Sequence, residues 1–152
     1  MSRGITKDRK SARPDASSLD AQRRMRATRQ RDTKAEMELR RAIHALGLRF
    51  TVNRVLLPGS RRLVDIVFTG ARVAVLVDGC FWHSCPEHRS LPKANRAWWA
   101  AKLRANWVRD RDTDLQLKRE GWRVVRVWEH ERPNAAATRV ARIVRRRTRS
   151  TE

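Results

Sequence analysis

The sequence predicts a mixed α/β domain in which a central sheet is flanked by helices. Apolar residues recur at helical spacing in three segments, and two short apolar runs follow one another closely. A later segment alternates apolar and basic residues, as a strand does. The length of 152 residues suits one domain, and a hydrophobic fraction of 40% is enough for an ordinary core.

The first predicted helix begins after Arg31, where Asp32 or Thr33 can cap it and Glu36 lies one turn in. Gly47 is placed to end this helix. The apolar positions at helical spacing are Leu39, Ile43 and Leu46. Residues 1–30 are polar and basic with no apolar period, which predicts a disordered basic arm before the domain.

Three strands are predicted next, beginning with a short strand at 50–52 and a loop at 57–60. The apolar runs Leu63–Phe68 and 73–77 are joined by residues 69–72, which is short enough for a hairpin. The second run is almost entirely β-branched or aliphatic, as in a central strand that is buried on both faces.

The second half of the chain predicts a helix, a strand and a last helix. Residues 95–120 have a helical pattern that Gly121 closes, and 122–128 alternate as a strand. One side of the long helix is predicted to carry Trp99, Leu103, Trp107 and Leu115. Pro133 opens the last helix, and the predicted boundaries are a domain at 31–138 and an arginine-rich tail at 139–152.

The balance of 36 Lys and Arg against 16 Asp and Glu gives a formal charge of +20 and indicates a polyanionic partner, for which nucleic acid is the first candidate. The chain shows neither a secretory signal nor the long apolar run of a membrane span, so a cytoplasmic protein without a membrane partner is expected. Charge alone does not distinguish nucleases from repressors or ribosomal proteins.

A cluster of cysteine and histidine predicts a zinc site. Cys80, Cys85 and His88 lie close together, and His130 follows the last strand. In a reducing compartment such residues more often bind zinc than form a disulfide, and four of them make a closed structural site. The alternative is two buried thiols and two surface imidazoles. His83 is left over from this set and suits another task.

The acidic residues are few, so those in apolar settings stand out. Asp65 interrupts an apolar run and Asp78 follows the next one. On adjacent antiparallel strands the two could meet and hold a hard cation such as Mg²⁺, with Glu36 approaching from the first helix. The alternatives are a solvent-facing charge on an edge strand for Asp65 and a turn residue for Asp78.

Six tryptophans and no tyrosine are a further unusual feature. Trp122 and Trp128 are in strand phase with valines and are expected in the core. The adjacent pairs 81–82 and 98–99 cannot all point into one core, so each pair is expected to expose one ring that can stack on bases. Packing against the zinc loop or the domain core is the alternative for these rings.

The segment Gly79-Cys80-Phe81-Trp82-His83, after a valine-rich strand and before a Cys/His cluster, resembles the very short patch repair (Vsr) DNA mismatch endonucleases. The resemblance runs from about residue 25 to residue 131. Further matching segments are Arg31-Asp32-Thr33 with Glu36, Leu57-Pro58-Gly59, Asp65, Asn106 with Arg109-Asp110, Gly121-Trp122-Arg123-Val124 and Val127-Trp128-Glu129.

The resemblance implies a restriction-endonuclease-like α/β core with a structural zinc, and Mg²⁺-dependent nicking of one DNA strand beside a T:G mismatch, which arises when 5-methylcytosine deaminates. It implies Asp65 as the central Mg²⁺ ligand and the Val77 carbonyl as a second ligand. Glu36 and Asp110 would act through metal-bound waters, and His83 would activate the attacking water or position the phosphate.

The resemblance further implies contacts to DNA. An aromatic wedge that opens the duplex matches Phe81, Trp82 and Trp99, and Asn106 and Arg109 match positions that contact DNA. The expected partner is double-stranded DNA with a T:G mismatch, acted on by a monomer in the bacterial cytoplasm at the nucleoid, with mismatch-repair proteins as further partners.

Four positions depart from the family pattern. Asp78 stands where the family has histidine, so it either replaces that imidazole or ligates metal. Cys80 stands where the wider nuclease motif has lysine, His130 where cysteine is common, and Val64 where proline precedes the aspartate. Glu87 stays open as an alternative zinc ligand to Cys85 or His88.

The leading hypothesis is therefore a Mg²⁺-dependent mismatch endonuclease that nicks one strand. A restriction-type nickase without mismatch preference is the alternative within the same fold. A zinc-stabilised nucleic-acid-binding module without catalysis is the alternative from another class, and it leaves the acidic residues unexplained.

Overall fold

The computed structural model describes residues 31–150, and the predicted basic arm at 1–30 lies outside them. Their order of one helix, three strands, a helix, a strand and a helix confirms the predicted succession. The elements are α1 Lys34–Ala45, β1 Thr51–Val55, β2 Leu63–Phe68, β3 Val73–Asp78, α2 Arg96–Arg119, β4 Arg123–Trp128 and α3 Pro133–Arg149. No helix in this described part is both long enough and apolar enough to cross a membrane.

The four strands form one mixed sheet in the order β1-β2-β3-β4. The pairs β1–β2 and β2–β3 are antiparallel, and β3–β4 is parallel, with Val73 opposite Arg123 and Asp78 opposite Trp128. Because parallel strands end at the same edge of a sheet, the loops that follow β3 and β4 lie side by side. This edge carries the candidate site and is called the catalytic end below.

Helices cover both faces of the sheet, so the domain has three layers. On one face α1 and α3 pack against the strands, and on the other face Leu117 of α2 does so. The first interface is built from Leu39, Ile43, Ile66, Phe68, Val73, Val75, Val125, Val127, Ala136, Ala137, Val140 and Val144 with smaller neighbours. The second is built from Leu57, Val64, Val67, Ala74 and Leu117.

The start of α1 explains how Glu36 is placed. Thr33 is the N-cap, and its hydroxyl accepts a hydrogen bond from the Glu36 N–H at 3.2 Å. The Glu36 carboxylate turns back and accepts the Asp32 N–H at 2.8 Å, which is a close variant of the capping box. The helix ends before Gly47, whose φ of 81° favours glycine.

The predicted apolar side of α2 is wrong in its second half. Trp107 and Leu115 are 45% and 54% exposed. The buried side consists of Trp99, Leu103, Asn106, Thr113 and Leu117. Polar side chains occupy two of these positions because each has hydrogen-bond partners: the Asn106 amide donates to the Trp82 carbonyl at 3.2 Å, and the Thr113 hydroxyl accepts from Arg62 at 2.8 Å.

The last helix continues past the predicted domain boundary. The boundary between residues 138 and 139 falls inside α3, and Val140 and Val144 are buried in the core. The guanidinium of Arg147 donates to the carbonyl oxygens of Ala71 and Gly121 at 2.8 and 3.3 Å. Residues 139–149 are therefore part of the folded helix.

Candidate active site and metal site

Asp65 lies where β2 and β3 separate. The pairing of these strands reaches Ile66 opposite Val75 and then stops. The Asp65 carboxylate accepts the Val77 N–H at 2.7 Å, so a side chain replaces the backbone acceptor of a regular ladder. Burial raises the pKa of Asp65 to about 7 against the opposing effect of the Val77 hydrogen bond. This position destabilises the ionised carboxylate unless a cation is near.

Glu36 faces the same region from α1 and is only 3% exposed. Its carboxylate accepts from the Arg40 guanidinium at 3.3 Å and from the Thr33 hydroxyl at 3.1 Å. The charge of Glu36 further raises the pKa of Asp65, and the charge of Arg40 lowers it. Arg40 orients Glu36, and sequence reasoning missed it because it is one of 36 lysines and arginines in the chain.

The donor chemistry at this end fits a magnesium ion. Asp65, Glu36 and Asp78 supply carboxylate oxygens, and the two neighbours both raise the pKa of Asp65 through their charges. In the described part of the chain, these three carboxylates do not converge into a closed cluster as the Cys80, Cys85, His88 and His130 side chains do. An open set of carboxylates suits Mg²⁺, which keeps several waters and uses one or two protein carboxylates directly.

His83 forms a dyad with Asp110 across the loop after β3. The distance from His83 Nδ1 to Asp110 Oδ2 is 2.6 Å, and that from His83 Nδ1 to Asp78 Oδ1 is 3.7 Å. Burial lowers the pKa of His83, but the Asp110 hydrogen bond and the Asp78 charge outweigh it, so the net pKa is raised. With Nδ1 bonded to Asp110, Nε2 is left to meet a substrate or a water.

Arg126 on β4 holds three aspartates of this region together. It donates to the Asp78 carboxylate at 2.7 Å, to the Asp114 carboxylate at 2.8 Å and to the Asp110 backbone carbonyl at 3.2 Å. Asp78 is 3% exposed; burial raises its pKa, and the charge of Arg126 opposes this. The buried Asp78 is thus paired with a cation from the protein itself, and neither Arg126 nor Asp114 was singled out from the sequence.

The four predicted zinc ligands converge. The Cys80 Sγ atom lies 3.1 Å from His130 Nδ1 and 3.9 Å from His88 Nδ1, and the Cys85 Sγ atom lies 3.7 Å from each. A tetrahedral zinc with bonds of about 2.0–2.3 Å needs donor atoms about 3.3–3.8 Å apart, so these separations fit the ion. In the described residues this is the one such group of His, Cys, Asp or Glu.

Glu87, the alternative ligand, lies outside this cluster. Its carboxylate contacts His130 Nε2 at 3.5 Å, on the side of the ring away from the sulfur atoms. Metal-bound imidazoles commonly donate their second N–H to a carboxylate, which fixes the ring orientation. Burial raises the pKa of the Cys80 thiol to about 12, so a bound cation is needed to hold it as a thiolate.

We expect about one equivalent of zinc per chain by metal analysis. The replacement Cys85→Ser is expected to lower the zinc content and the melting temperature together, because Cys85 is fully buried and would be one of four zinc donors. The matched control is Glu87→Gln, which is exposed and is expected to keep the zinc. A metal-free chain that melts at the same temperature as the zinc-loaded chain would reject a structural role.

Four aromatic rings form a continuous cluster next to the catalytic end. The centroid of the Phe81 ring lies 5.1 Å from that of Trp82 and 5.4 Å from that of Trp99. The ring centroids of Trp98 and Trp99 are 4.8 Å apart. Trp99 is 4% exposed, whereas the other three are half-buried. Phe81 and Trp82 therefore expose part of their ring surface to solvent, and the buried Trp99 ring packs against both of them.

Asn106 and Arg109 differ in accessibility. Asn106 is buried and fixes the Trp82 carbonyl, so its amide supports the aromatic cluster. Arg109 is exposed and contacts the Asn106 amide oxygen at 3.4 Å. Trp128, predicted in the core, is half-buried and stacks on His130 with ring centroids 6.5 Å apart. Trp122 is half-buried against the second core interface.

Comparison with known proteins gives a matching family and several relatives. Residues 17–89 match the family described as DNA mismatch endonuclease Vsr. The type II nicking enzyme V.NaeI of Lentzea aerocolonigenes is 49% identical over 111 residues, covering 72% of this chain and 67% of the relative. The nicking enzyme V.XorIIP of Xanthomonas oryzae is 39% identical, covering 70% and 77%.

The DNA mismatch endonuclease Vsr of Escherichia coli is 36% identical over 109 residues, covering 69% of this chain and 66% of the relative. The aligned relatives are thus named either as nicking enzymes or as a mismatch endonuclease. The identities and coverage, together with the family match, establish the relationship that the motif around Phe81-Trp82-His83 predicts. The chain belongs to the Vsr family of DNA endonucleases.

Proposed function

We propose that this protein is a Mg²⁺-dependent endonuclease that nicks one strand of duplex DNA next to a T:G mismatch, within a restriction-endonuclease-like fold. The observation that carries the proposal is the convergence of Asp65, Glu36 and the His83–Asp110 dyad at the end where β2 and β3 part. A carboxylate by itself repels a DNA phosphate. A divalent cation held between the two makes the net interaction attractive, which would explain why these carboxylates occur in a DNA-binding site.

Asp65 is the proposed direct ligand of the magnesium ion, together with the carbonyl of Val77, whose N–H already fixes the Asp65 carboxylate. When bound, the ion would stabilise the charge on the phosphate in the transition state and make a water more acidic. Glu36, held by Arg40, and Asp110, bonded to His83, are the proposed groups that orient waters around the ion. Each of these three carboxylates would face the metal or its waters, while a hydrogen bond to the protein holds it in place.

His83 is the proposed group that accepts the proton of the attacking water or positions the scissile phosphate. Asp110 holds its Nδ1 atom and Arg126 holds the Asp110 carbonyl, so the ring orientation is fixed from two strands and a helix. Asp78 contributes through its charge at 3.7 Å from the imidazole. Its pairing with Arg126 favours a positioning role over direct metal binding.

The aromatic cluster is proposed to open the duplex beside the mismatch. Phe81 and Trp82 are exposed enough to insert between bases or to stack on them, and both pack against the buried Trp99 ring. Asn106 holds the backbone of this wedge, and Arg109 is the accessible cation beside it for a DNA contact. A mismatched pair costs less to unstack, which is a source of selectivity.

Nicking of a T:G duplex is expected to be at least about tenfold faster than nicking of the same duplex with C:G, a difference of about 1.4 kcal/mol in activation free energy. The measurement is single-turnover cleavage of one labelled duplex pair with and without Mg²⁺, mapping the cut. The Asp65→Asn protein provides the background. Cleavage that needs no divalent cation would overturn the metal assignment.

Equal rates on both duplexes would favour a second candidate, a nickase of the same fold without mismatch preference. The observation in its favour is that the relatives of 49% and 39% identity are named type II nicking enzymes. A binding module without catalysis is not supported, since the family consists of endonucleases. The proposed setting is a monomer in the bacterial cytoplasm that acts on nucleoid DNA, with mismatch-repair proteins as further partners.

A further inference from the structure

One end of the sheet carries a dense group of exposed basic side chains that no role above requires. They come from the turn between β2 and β3, the junction of α2 with β4, and the last turns of α3. We call this group the basic end. It consists of Arg72, Lys118, Arg119, Arg123, Arg142, Arg145, Arg146 and Arg149, all of them exposed.

Hydrogen bonds to backbone carbonyl oxygens show that these segments meet. The Arg123 N–H donates to the Arg72 carbonyl at 2.8 Å, and Arg147 bonds the carbonyls of Ala71 and Gly121. Arg145 donates to the Leu46 carbonyl at 3.1 Å, which adds the end of α1 to the same surface. The basic end is therefore one continuous part of the fold.

The basic end lies opposite the catalytic end. It adjoins the first residues of β3 and β4, whereas Asp78 and the zinc loops follow the last residues of these strands. A six-residue strand spans about 20 Å, and a 17-residue helix such as α3 spans about 25 Å. A DNA segment held by Asp65 and the aromatic cluster is therefore at the other side of the domain from these arginines.

The charge at this end is nearly all of one sign. In the described stretches 69–72, 118–123 and 142–150, Glu120 is the acidic residue among them. Arg142, Arg146 and Arg149 follow the spacing i, i+4, i+7 and so lie on one face of α3. Like charges at this spacing repel one another, and the helix dipole compensates only for those in the last turn.

We propose that the basic end binds the phosphates of a second DNA segment while the catalytic end holds the first. This rests on the proposed function only in that the catalytic end holds DNA. Arginines on one helix face offer sequence-independent phosphate contacts, and a second segment would allow direct transfer from one duplex to another. Such transfer would let the protein sample many DNA segments without first dissociating into solution.

The test measures how quickly a labelled matched duplex leaves the full-length, zinc-loaded protein, without Mg²⁺, as unlabelled duplex is added. The dissociation rate of the unaltered protein is expected to rise in proportion to the added duplex. In the triple variant Arg142→Gln, Arg146→Gln, Arg149→Gln this dependence is expected to fall at least about tenfold, because three phosphate contacts are lost. Affinity for a single short duplex is expected to change less than about twofold.

The matched control removes the same charge from exposed arginines elsewhere, as Arg54→Gln, Arg61→Gln, Arg104→Gln. It is expected to keep the dependence on added duplex, whatever it does to affinity. A dissociation rate of the unaltered protein that ignores added duplex would overturn the proposal, as would a triple variant that weakens short-duplex binding as strongly as transfer. Because no nicking is scored, failure of the proposed reaction would leave this result standing.

Discussion

Replacing Asp65 with asparagine is expected to reduce nicking at least about a thousandfold while affinity for the duplex stays within a few-fold. The amide keeps the size of the side chain and removes the charge that a divalent cation needs. Single-turnover cleavage and equilibrium binding of the same labelled duplex provide the two measurements. Glu38→Gln removes a carboxylate from α1 that pairs with Lys34 outside the site, and this control is expected to nick normally because Glu36 is untouched.

The pH dependence of the melting temperature shows whether Asp65→Asn affects nicking without destabilising the fold. The pKa of Asp65 is about 7 in the folded chain against an ordinary value of 3.8, so the folded state binds the proton more tightly than the unfolded state does. With zinc bound and Mg²⁺ absent, the contribution of Asp65 to the free energy of unfolding therefore falls as pH rises between about 4 and 7. Asparagine cannot ionise, and the variant is expected to melt no lower than the unaltered protein at pH 8. An unfolded variant at that pH would contradict this account.

Replacing Arg126 with methionine is expected to destabilise the fold by about 3–5 kcal/mol and to lower the nicking rate of the molecules that remain folded. The loss of the guanidinium leaves the buried Asp78 without its cation and frees the Asp110 carbonyl. Thermal melting measures the first effect. Single-turnover cleavage at a temperature where the variant is folded measures the second.

A double-mutant cycle shows whether loss of the Asp78–Arg126 ion pair causes the loss of stability. Asp78→Asn combined with Arg126→Met removes both charges, so the double variant is expected to be more stable than the sum of the single effects predicts. Arg126→Lys keeps the charge but cannot reach Asp78, Asp110 and Asp114 with one fork, so partial recovery of nicking is expected. Additive losses of stability, or normal nicking by Arg126→Met, would contradict the positioning role.

The element order was predictable because apolar periodicity reports which face of an element is buried. The same reasoning failed on α2, where it grouped the exposed Trp107 and Leu115 on one side with the buried Trp99 and Leu103. This helix packs partly against polar loops, so Asn106 and Thr113 occupy buried positions that an apolar pattern does not mark. Periodicity detects contact with a hydrophobic core, not contact with a hydrogen-bonded site.

The residues of the candidate site likewise divide into those that the sequence singles out and those that it does not. Asp65 and the zinc ligands stood out because acids, cysteines and histidines are scarce in this chain, whereas Asp110 was indicated by the family resemblance alone. Arg126 did not, because it is one of 36 basic residues and alternates with valines like a solvent-facing side chain. Its role depends on the parallel pairing of β3 with β4, a contact between residues far apart in sequence. Strand order of this kind is not readable from local pattern.

That parallel pairing also determines when the catalytic end can exist during synthesis. The strands β1, β2 and β3 follow one another and pair with neighbours, whereas β4 joins only after α2 has been made. A nascent chain that ends before β4 has neither Arg126 nor His130, so it lacks the cation for Asp78 and the fourth donor of the zinc cluster. A chain that could cut DNA is thereby kept incomplete until β4 and the residues that follow it have been made.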